Sequence, residues 1–276
     1  MNMEVLAGIS PRADWRDPEN YRTVQRYDVF GWAGEWLLRN RKFLSDLLKA
    51  PCLLSFGDRA PVIECPDADC FTRWGACCCL IDGQPVLCWS PERNPLVLEL
   101  DAVAAACREA GFDCKDCPLL KAVMRMGAED QHVLFSDGAR HLQLALSGAD
   151  VLDGPLLLRC TLCGIEEFET KAILLRHLCG LYRHRRFLAC LYPVERRARR
   201  WAEMLRAWDG ADAGASQRDI AAVLFGERAA TESWDDLYRT RIQRLLRGAR
   251  RMVEGGYLKL LGRVREGEDD LKGAKG

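Results

Sequence analysis

The sequence predicts an α+β fold, mostly helical, from three observations. Two stretches, residues 74–89 and 132–146, each set an Asp-Gly dipeptide between apolar runs. From Gly164 onward the apolar residues recur at helical spacing. The composition, 49% hydrophobic and 29% charged over 276 residues, is that of an ordinary globular chain with room for two modest domains or one large one.

The elements follow in order. Asp14-Trp15-Arg16-Asp17-Pro18 is turn-rich, and Pro18 suits the first turn of a short helix. Trp32, Trp36, Leu37, Phe43, Leu44, Leu47 and Leu48 predict one helix from Asp28 to about Lys49, ended by Ala50-Pro51. Trp74 to Ile81 and Pro85 to Trp89 form a β-hairpin around Asp82-Gly83, a pair that favours a primed turn. Leu96 to Leu100 reads as a strand. Asp101 to Ala110 reads as a helix, capped by Asp101 and closed by Gly111. A further short helix is expected at 119–126. His132 to Phe135 and His141 to Leu146 make a second hairpin around Asp137-Gly138, and Asp153-Gly154 turns the chain into a strand at Leu156 to Leu162. Helices then follow at 167–183, 186–192, 195–208, 216–225 and 235–254. The chain divides into an N-terminal helical and β-hairpin region (1–125), a middle β segment (126–166), a C-terminal helical bundle (167–265) and a polar tail (266–276).

Forty basic residues balance forty acidic ones. A neutral total speaks against a uniformly basic nucleic-acid binder and against an acidic disordered tail. The distribution is uneven, however. Residues 1–150 hold sixteen basic and twenty-two acidic residues, a net of −6, and residues 151–276 a net of +6. Between 171 and 265 there are twenty-one basic residues against ten acidic, a net of +11. No apolar run approaches the ~18–20 residues of a membrane helix. Met1 to Pro11 lacks the basic start and apolar stretch of a secretory signal. A cytoplasmic protein with no membrane partner is therefore expected.

The basic charge concentrates on the segment 235–254. Advancing about 100° per residue gathers Arg239, Arg241, Gln243, Arg244, Arg247, Arg250 and Arg251 on one side. Ile242, Leu245, Leu246, Ala249 and Val253 fall on the other. The basic side carries no acid. An ordinary solvated face alternates its charges to form i,i+4 pairs, whereas the planar fork of arginine suits phosphate and guanine. Upstream, Ser216-Gln217-Arg218-Asp219 reads as an N-cap with a carboxylate at the third helical position, a capping box. Ile220, Ala221 and Leu224 give that helix an apolar face. The pair resembles a helix-turn-helix, but about ten residues separate its helices instead of the usual 3–4. Arg196, Arg197, Arg199 and Arg200 precede Trp201 early in another helix, where basic charge opposes the helix dipole. They suit phosphate contact, or are partly neutralised by Glu195 and Glu203.

These stretches, together with Tyr192-Pro193-Val194-Glu195 and Gly255-Gly256-Tyr257, resemble a proteobacterial C-terminal domain, formerly of unknown function, of transcriptional activators of the RovC/FseA type. Asp14-Trp15-Arg16-Asp17, Trp36-Leu37-Leu38-Arg39-Asn40 and Phe71-Thr72-Arg73-Trp74-Gly75 resemble the transcriptional-regulator-like domain that precedes it in that family. Asp137-Gly138-Ala139-Arg140-His141 and Leu152-Asp153-Gly154-Pro155 also fit. The resemblance implies a DNA-binding regulator of mobile-element transfer or secretion genes. Some relatives act by binding other regulators.

Fourteen cysteines are the remaining oddity. Cys114-Lys115-Asp116-Cys117 and Cys160-Thr161-Leu162-Cys163 have metal-ligand spacing. The second pair lies in an expected strand, where positions three apart face opposite ways. Burial as small hydrophobes is the plainer reading, and no metal site or cofactor is assigned. No phosphate loop, His-Glu-x-x-His pattern or nucleophile elbow occurs, and no catalytic residues are expected.

The leading reading is a sequence-specific, double-stranded-DNA-binding transcriptional regulator, an activator, in which 235–254 enters the major groove and 216–225 supports it. Arg196, Arg197, Arg199, Arg200, Gln217, Arg218, Arg239, Arg241, Gln243, Arg244, Arg247, Arg250 and Arg251 are the candidate DNA-binding residues. The acidic half would serve contacts with RNA polymerase or another regulator, and a homo-oligomer is expected because one short reader gives little affinity. The alternatives are an interaction module that sequesters another regulator and, more weakly, a zinc or redox sensor.

Overall fold

The computed structural model describes residues 14–49, 52–56, 60–65, 68–107, 111–126, 130–162, 164–231 and 234–262. Ala50-Pro51, residues 108–110, Cys163 and the 266–276 tail, which carry several of the expectations above, lie outside them. The fold is α+β, with a seven-stranded sheet in the middle and helices before and after it among the described residues.

Asp17 caps a short 3-10 turn at Pro18–Tyr21 through its carboxylate. Where one helix was expected there are two, α1 (Val29–Leu37) and α2 (Arg41–Lys49). The break comes from Asn40, whose side-chain oxygen accepts hydrogen bonds from the backbone N–H groups of Lys42 and Phe43 and so starts a second helix. The break also turns Arg39 inward.

Strands β1 (Leu53–Phe56) and β2 (Pro61–Glu64), neither expected from the sequence, form one edge of the sheet. After α3 (Ala68–Trp74) comes the expected hairpin, β3 (Ala76–Ile81) and β4 (Gln84–Trp89). Its two turn residues have positive φ, 52° at Asp82 and 72° at Gly83, as a primed turn requires. The helix expected from Asp101 is instead the end of strand β5 (Val97–Ala104). Asp101 and Ala102 pair with Ser147 and Gly148 on one side and with Arg159 and Leu158 on the other, and this pairing overrides the helix propensity of the alanines. The helix expected at 119–126 is strand β6 (Leu120–Met126). It is an inner strand with Ala122, Val123 and Met124 all buried, so the alternation that marks a strand is missing.

The second hairpin, β7 (Asp130–Ser136) and β8 (His141–Gly148), forms as expected. Strand β9 (Leu156–Arg159) is shorter than expected. The sheet runs β1-β2-β6-β7-β8-β5-β9, with β2/β6 and β5/β8 parallel and the other pairs antiparallel. One face, with Leu98, Leu100, Val123, Val133, Phe135, Leu142, Leu144 and Leu146, packs against α4 (Ile165–His184). The other, with Ala122, Met124, Leu134 and the polar Gln143 and His132, meets the β3–β4 hairpin and the helical body. Gln143 is fully buried. It accepts from the Trp89 backbone N–H at 2.9 Å, and its amide nitrogen lies 2.7 Å from the Trp89 carbonyl and 2.9 Å from His132 Nδ1.

After a three-residue 3-10 turn at Ala189–Leu191, shorter than the helix expected at 186–192, come α5 (Ala198–Asp212), α6 (Gln217–Phe225), α7 (Glu227–Thr231), α8 (Arg239–Arg251) and α9 (Leu258–Leu261). These helices share one apolar core with α1, α2 and the β3–β4 hairpin. Among the described residues, no helix is long and apolar enough to cross a membrane.

Candidate nucleic-acid interface

Ser216 and Asp219 start α6 with a full capping box: Ser216 Oγ accepts from the Asp219 N–H, and the Asp219 carboxylate accepts from the Ser216 N–H. Gly226, with φ at 93°, ends it. The long connection to the next helix holds α7 and a wide helical turn at Trp234–Tyr238 that leads straight into α8. Small residues set the spacing of the bundle. Ala207, Ala221 and Ala249 are fully buried, and a Cβ on Gly248 would lie 2.9 Å from Met204 Cε. Leu205, Ile220, Ile242 and Leu245 fill the space between α5, α6 and α8.

With that face of α8 fixed inward, the other faces out. Arg239, Arg244, Arg247, Arg250 and Arg251 are exposed and have no acidic partner among the described residues. The Nε–H of Arg247 donates to the Gln243 carbonyl at 3.3 Å. A groove between α5, α6 and α8 is lined by Trp208, Ala211, Gln217, Gln243, Leu246, Arg247 and Arg250. The structure thus brings Gln217, at the start of α6, beside three polar side chains of α8 that are distant from it in sequence.

The other candidates sit elsewhere. Arg241 packs 3.8 Å above the Phe225 ring and lies 3.9 Å from Glu203 on α5. Arg218 lies 5.6 Å over the buried Trp234 ring. Arg196, Arg197, Arg199 and Arg200 are exposed at the start of α5, and Arg197 is 3.7 Å from Glu195. Trp208, on the groove, lies eight residues beyond Arg200, or about 12 Å along the helix. These four arginines therefore form a separate basic patch.

A further cluster of charged residues went unnoticed in the sequence. Arg39 is buried at the junction between α1 and α5. Its Nε and Nη2 donate to the two oxygens of Asp209 at 2.7 Å each, and Nη1 donates to Glu35 at 2.6 Å. The Tyr21 hydroxyl donates to the same Asp209 carboxylate at 2.6 Å. Burial favours the neutral guanidine, but Asp209 and Glu35 outweigh it and hold the Arg39 charge. Burial, then Asp209, pushes the Tyr21 hydroxyl well above its ordinary range. Asn40 Nδ2 donates to the Val253 carbonyl at 2.9 Å, and Arg206 donates to the carbonyls of Trp15 and Arg16. A contact 170 residues apart leaves no local trace; an arginine directly after Trp36-Leu37-Leu38 is the one hint. This junction fixes the helical bundle, and with it α8, to the N-terminal helices.

Two family models match the chain. The RovC DNA-binding domain, described as the DNA-binding domain of a T6SS transcription factor, matches residues 166–262. The proteobacterial transcriptional regulator-like domain matches residues 14–76. No curated protein and no solved structure gives a match. The second model covers α1, α2 and Arg39, and the first covers Asp209, α6 and α8, so the buried junction lies between the two matched domains. Together the matches span more than half of the chain, which is a RovC-type regulator with an N-terminal regulator-like domain and a C-terminal DNA-binding domain.

Proposed function

We propose that this regulator reads double-stranded DNA in a sequence-specific way through α8, and that it activates genes of secretion or mobile-element transfer. The observation that carries the proposal is the outer face of α8: five exposed arginines without an acidic partner among the described residues, beside a groove holding Gln217 and Gln243. An exposed arginine row matches a phosphate backbone, and arginine or glutamine within it can reach guanine or adenine edges by paired hydrogen bonds. In this reading Arg239, Gln243, Arg244 and Arg247 face the bases. Arg250 and Arg251 hold the phosphates, with Gln217 and Arg218 at the start of α6. Arg241 is anchored to Phe225 and orients the helix. Arg196, Arg197, Arg199 and Arg200 contact backbone beyond the groove. The acidic N-terminal half is left for polymerase, another regulator or a second copy of the chain. RovC-type domains belong to T6SS transcription factors, which supports secretion genes as the target class.

Salt dependence tests the reading. With six to ten phosphates engaged, affinity for a duplex from the gene's own upstream region falls by about 10³–10⁵ between 50 and 200 mM salt. Removing one phosphate-binding arginine lowers the slope by about one. A binding constant indifferent to salt, or no duplex bound at low salt, rejects it.

A further inference from the structure

Three cysteines far apart in sequence meet at one point. Cys52 immediately precedes β1 and Cys65 immediately follows β2. The register Leu53↔Glu64 sets the two opposite each other at the sheet edge. Cys77, on β3, comes down from the hairpin that covers this face. The three Sγ atoms all lie within 4.8 Å of one another. A fourth and a fifth sulfur are close. Met124 Sδ, on the neighbouring strand β6, is 2.7 Å from Cys77 Sγ, and Cys88 faces Cys77 across the hairpin in register. None of these residues belongs to either C-x-x-C pair of the sequence.

We propose that Cys52, Cys65 and Cys77 bind one thiophilic metal ion of the zinc(II) or copper(I) class. The donor set is all sulfur, which selects soft ions over magnesium and calcium. A tetrahedral centre with metal–sulfur bonds of about 2.3 Å holds its sulfurs about 3.8 Å apart. Thiols already within 4.8 Å reach that spacing by side-chain rotation. Cys77 is buried while Cys52 and Cys65 are half-buried, so the site has a closed floor and an open rim through which an ion can enter. Met124 or Cys88 can supply a fourth ligand. Cys77 donates its S–H toward the Cys52 and Cys65 sulfurs, and this, with burial behind it, pushes the Cys77 thiol well above its ordinary value. Each ion that enters displaces one proton from each of the three sulfurs into solvent and forms three metal–sulfur bonds, so affinity rises with pH. The product ties the β1–β2 edge to the β3–β4 hairpin.

The test uses the full chain, purified reduced and stripped of metal, with zinc(II) and copper(I) titrated in separate arms and cobalt(II) as a spectroscopic probe. The expected result is about one equivalent of zinc or copper, a thiolate-to-cobalt charge-transfer band and a raised melting temperature; the two arms tell which ion is preferred. Cys52→Ser and Cys65→Ser, at half-buried positions where folding should survive, each weaken binding by more than the ~10–100-fold lost with a ligand's hydrogen-bond partner. Cys107→Ser and Cys190→Ser, at exposed positions elsewhere, leave binding unchanged. A folded protein that takes up less than about a tenth of an equivalent of any of the three ions overturns the proposal. So does metal binding that survives both Cys52→Ser and Cys65→Ser.

Discussion

Arg39, at the junction of α1 and α5, and Arg244, on the outer face of α8, carry the same side chain into opposite surroundings. Arg39 is out of water, forked onto Asp209 and tied to Glu35, and every part of its guanidinium faces an acceptor. Arg244, with Arg239, Arg247, Arg250 and Arg251 on the same helix, stands in solvent with no carboxylate opposite among the described residues. A buried arginine without partners would be costly, so a structural role shows itself by complete pairing. A row of exposed arginines costs little fold stability, but it repels itself and gains only a little from the helix that carries it. In the proposed function its partner is the DNA backbone. The junction belongs to folding, and the proposed role of the α8 face is recognition; the predictions press on that division.

The largest effect is expected at the junction. Arg39→Ala leaves two carboxylates without their cation in a water-poor space and should destabilise the fold by about 3–5 kcal/mol, read as a lower urea midpoint. A change of under about 1 kcal/mol would place the junction in wet, weakly coupled surroundings and erase the contrast.

A second effect concerns the sheet face that supports the helical body. Burial lowers the His132 pKa to about 4, against the opposing pull of Asp130 and Glu92. The unfolded chain then binds this proton at higher pH than the folded one. The contribution is intact above about pH 6.5 and is lost as pH falls toward 4. At about 1.4 kcal/mol per pH unit this amounts to about 3 kcal/mol. Denaturant titrations at pH 7 and pH 4.5 measure it, and His132→Gln should flatten the difference. A variant with the same pH profile as the parent removes His132 as the cause.

The smallest change concerns the helix that supports α8. Ser216→Ala removes the side chain that caps α6 and should cost about 1 kcal/mol. Because the cap positions Gln217 at the groove, DNA affinity should fall modestly beside it. Unchanged stability would mean that the bundle, not the cap, holds the start of α6.

What the sequence showed depended on how local each cause was. The Asp82-Gly83 turn, the Ser216–Asp219 capping box and the two faces of α8 rest on neighbours within a few residues, and all could be read directly. Strand β6 was mistaken for a helix because both of its faces are buried, which removes the alternation that marks a strand. Residues 101–104 misled because alanine favours helix, and only pairing with β8 and β9 decides otherwise. The partnership of Arg39 with Asp209, and the meeting of Cys52, Cys65 and Cys77, exist only once the sheet and the bundle are assembled. Local spacing pointed to Cys114, Cys117 and Cys160 instead. Cys114 and Cys117 lie buried in the apolar layer beneath the other face of the sheet, with Cys160 packed at its edge.

The central claim, that the α8 arginines serve recognition and not the fold, is tested most directly by the double variant Arg244→Glu with Arg247→Glu, measured for unfolding free energy and for duplex binding by fluorescence anisotropy at 50 mM salt. The expected result is stability within about 0.5 kcal/mol of the parent, with binding to the upstream duplex abolished. Parent-like affinity in a folded double variant would contradict the claim and move the DNA-reading surface away from α8.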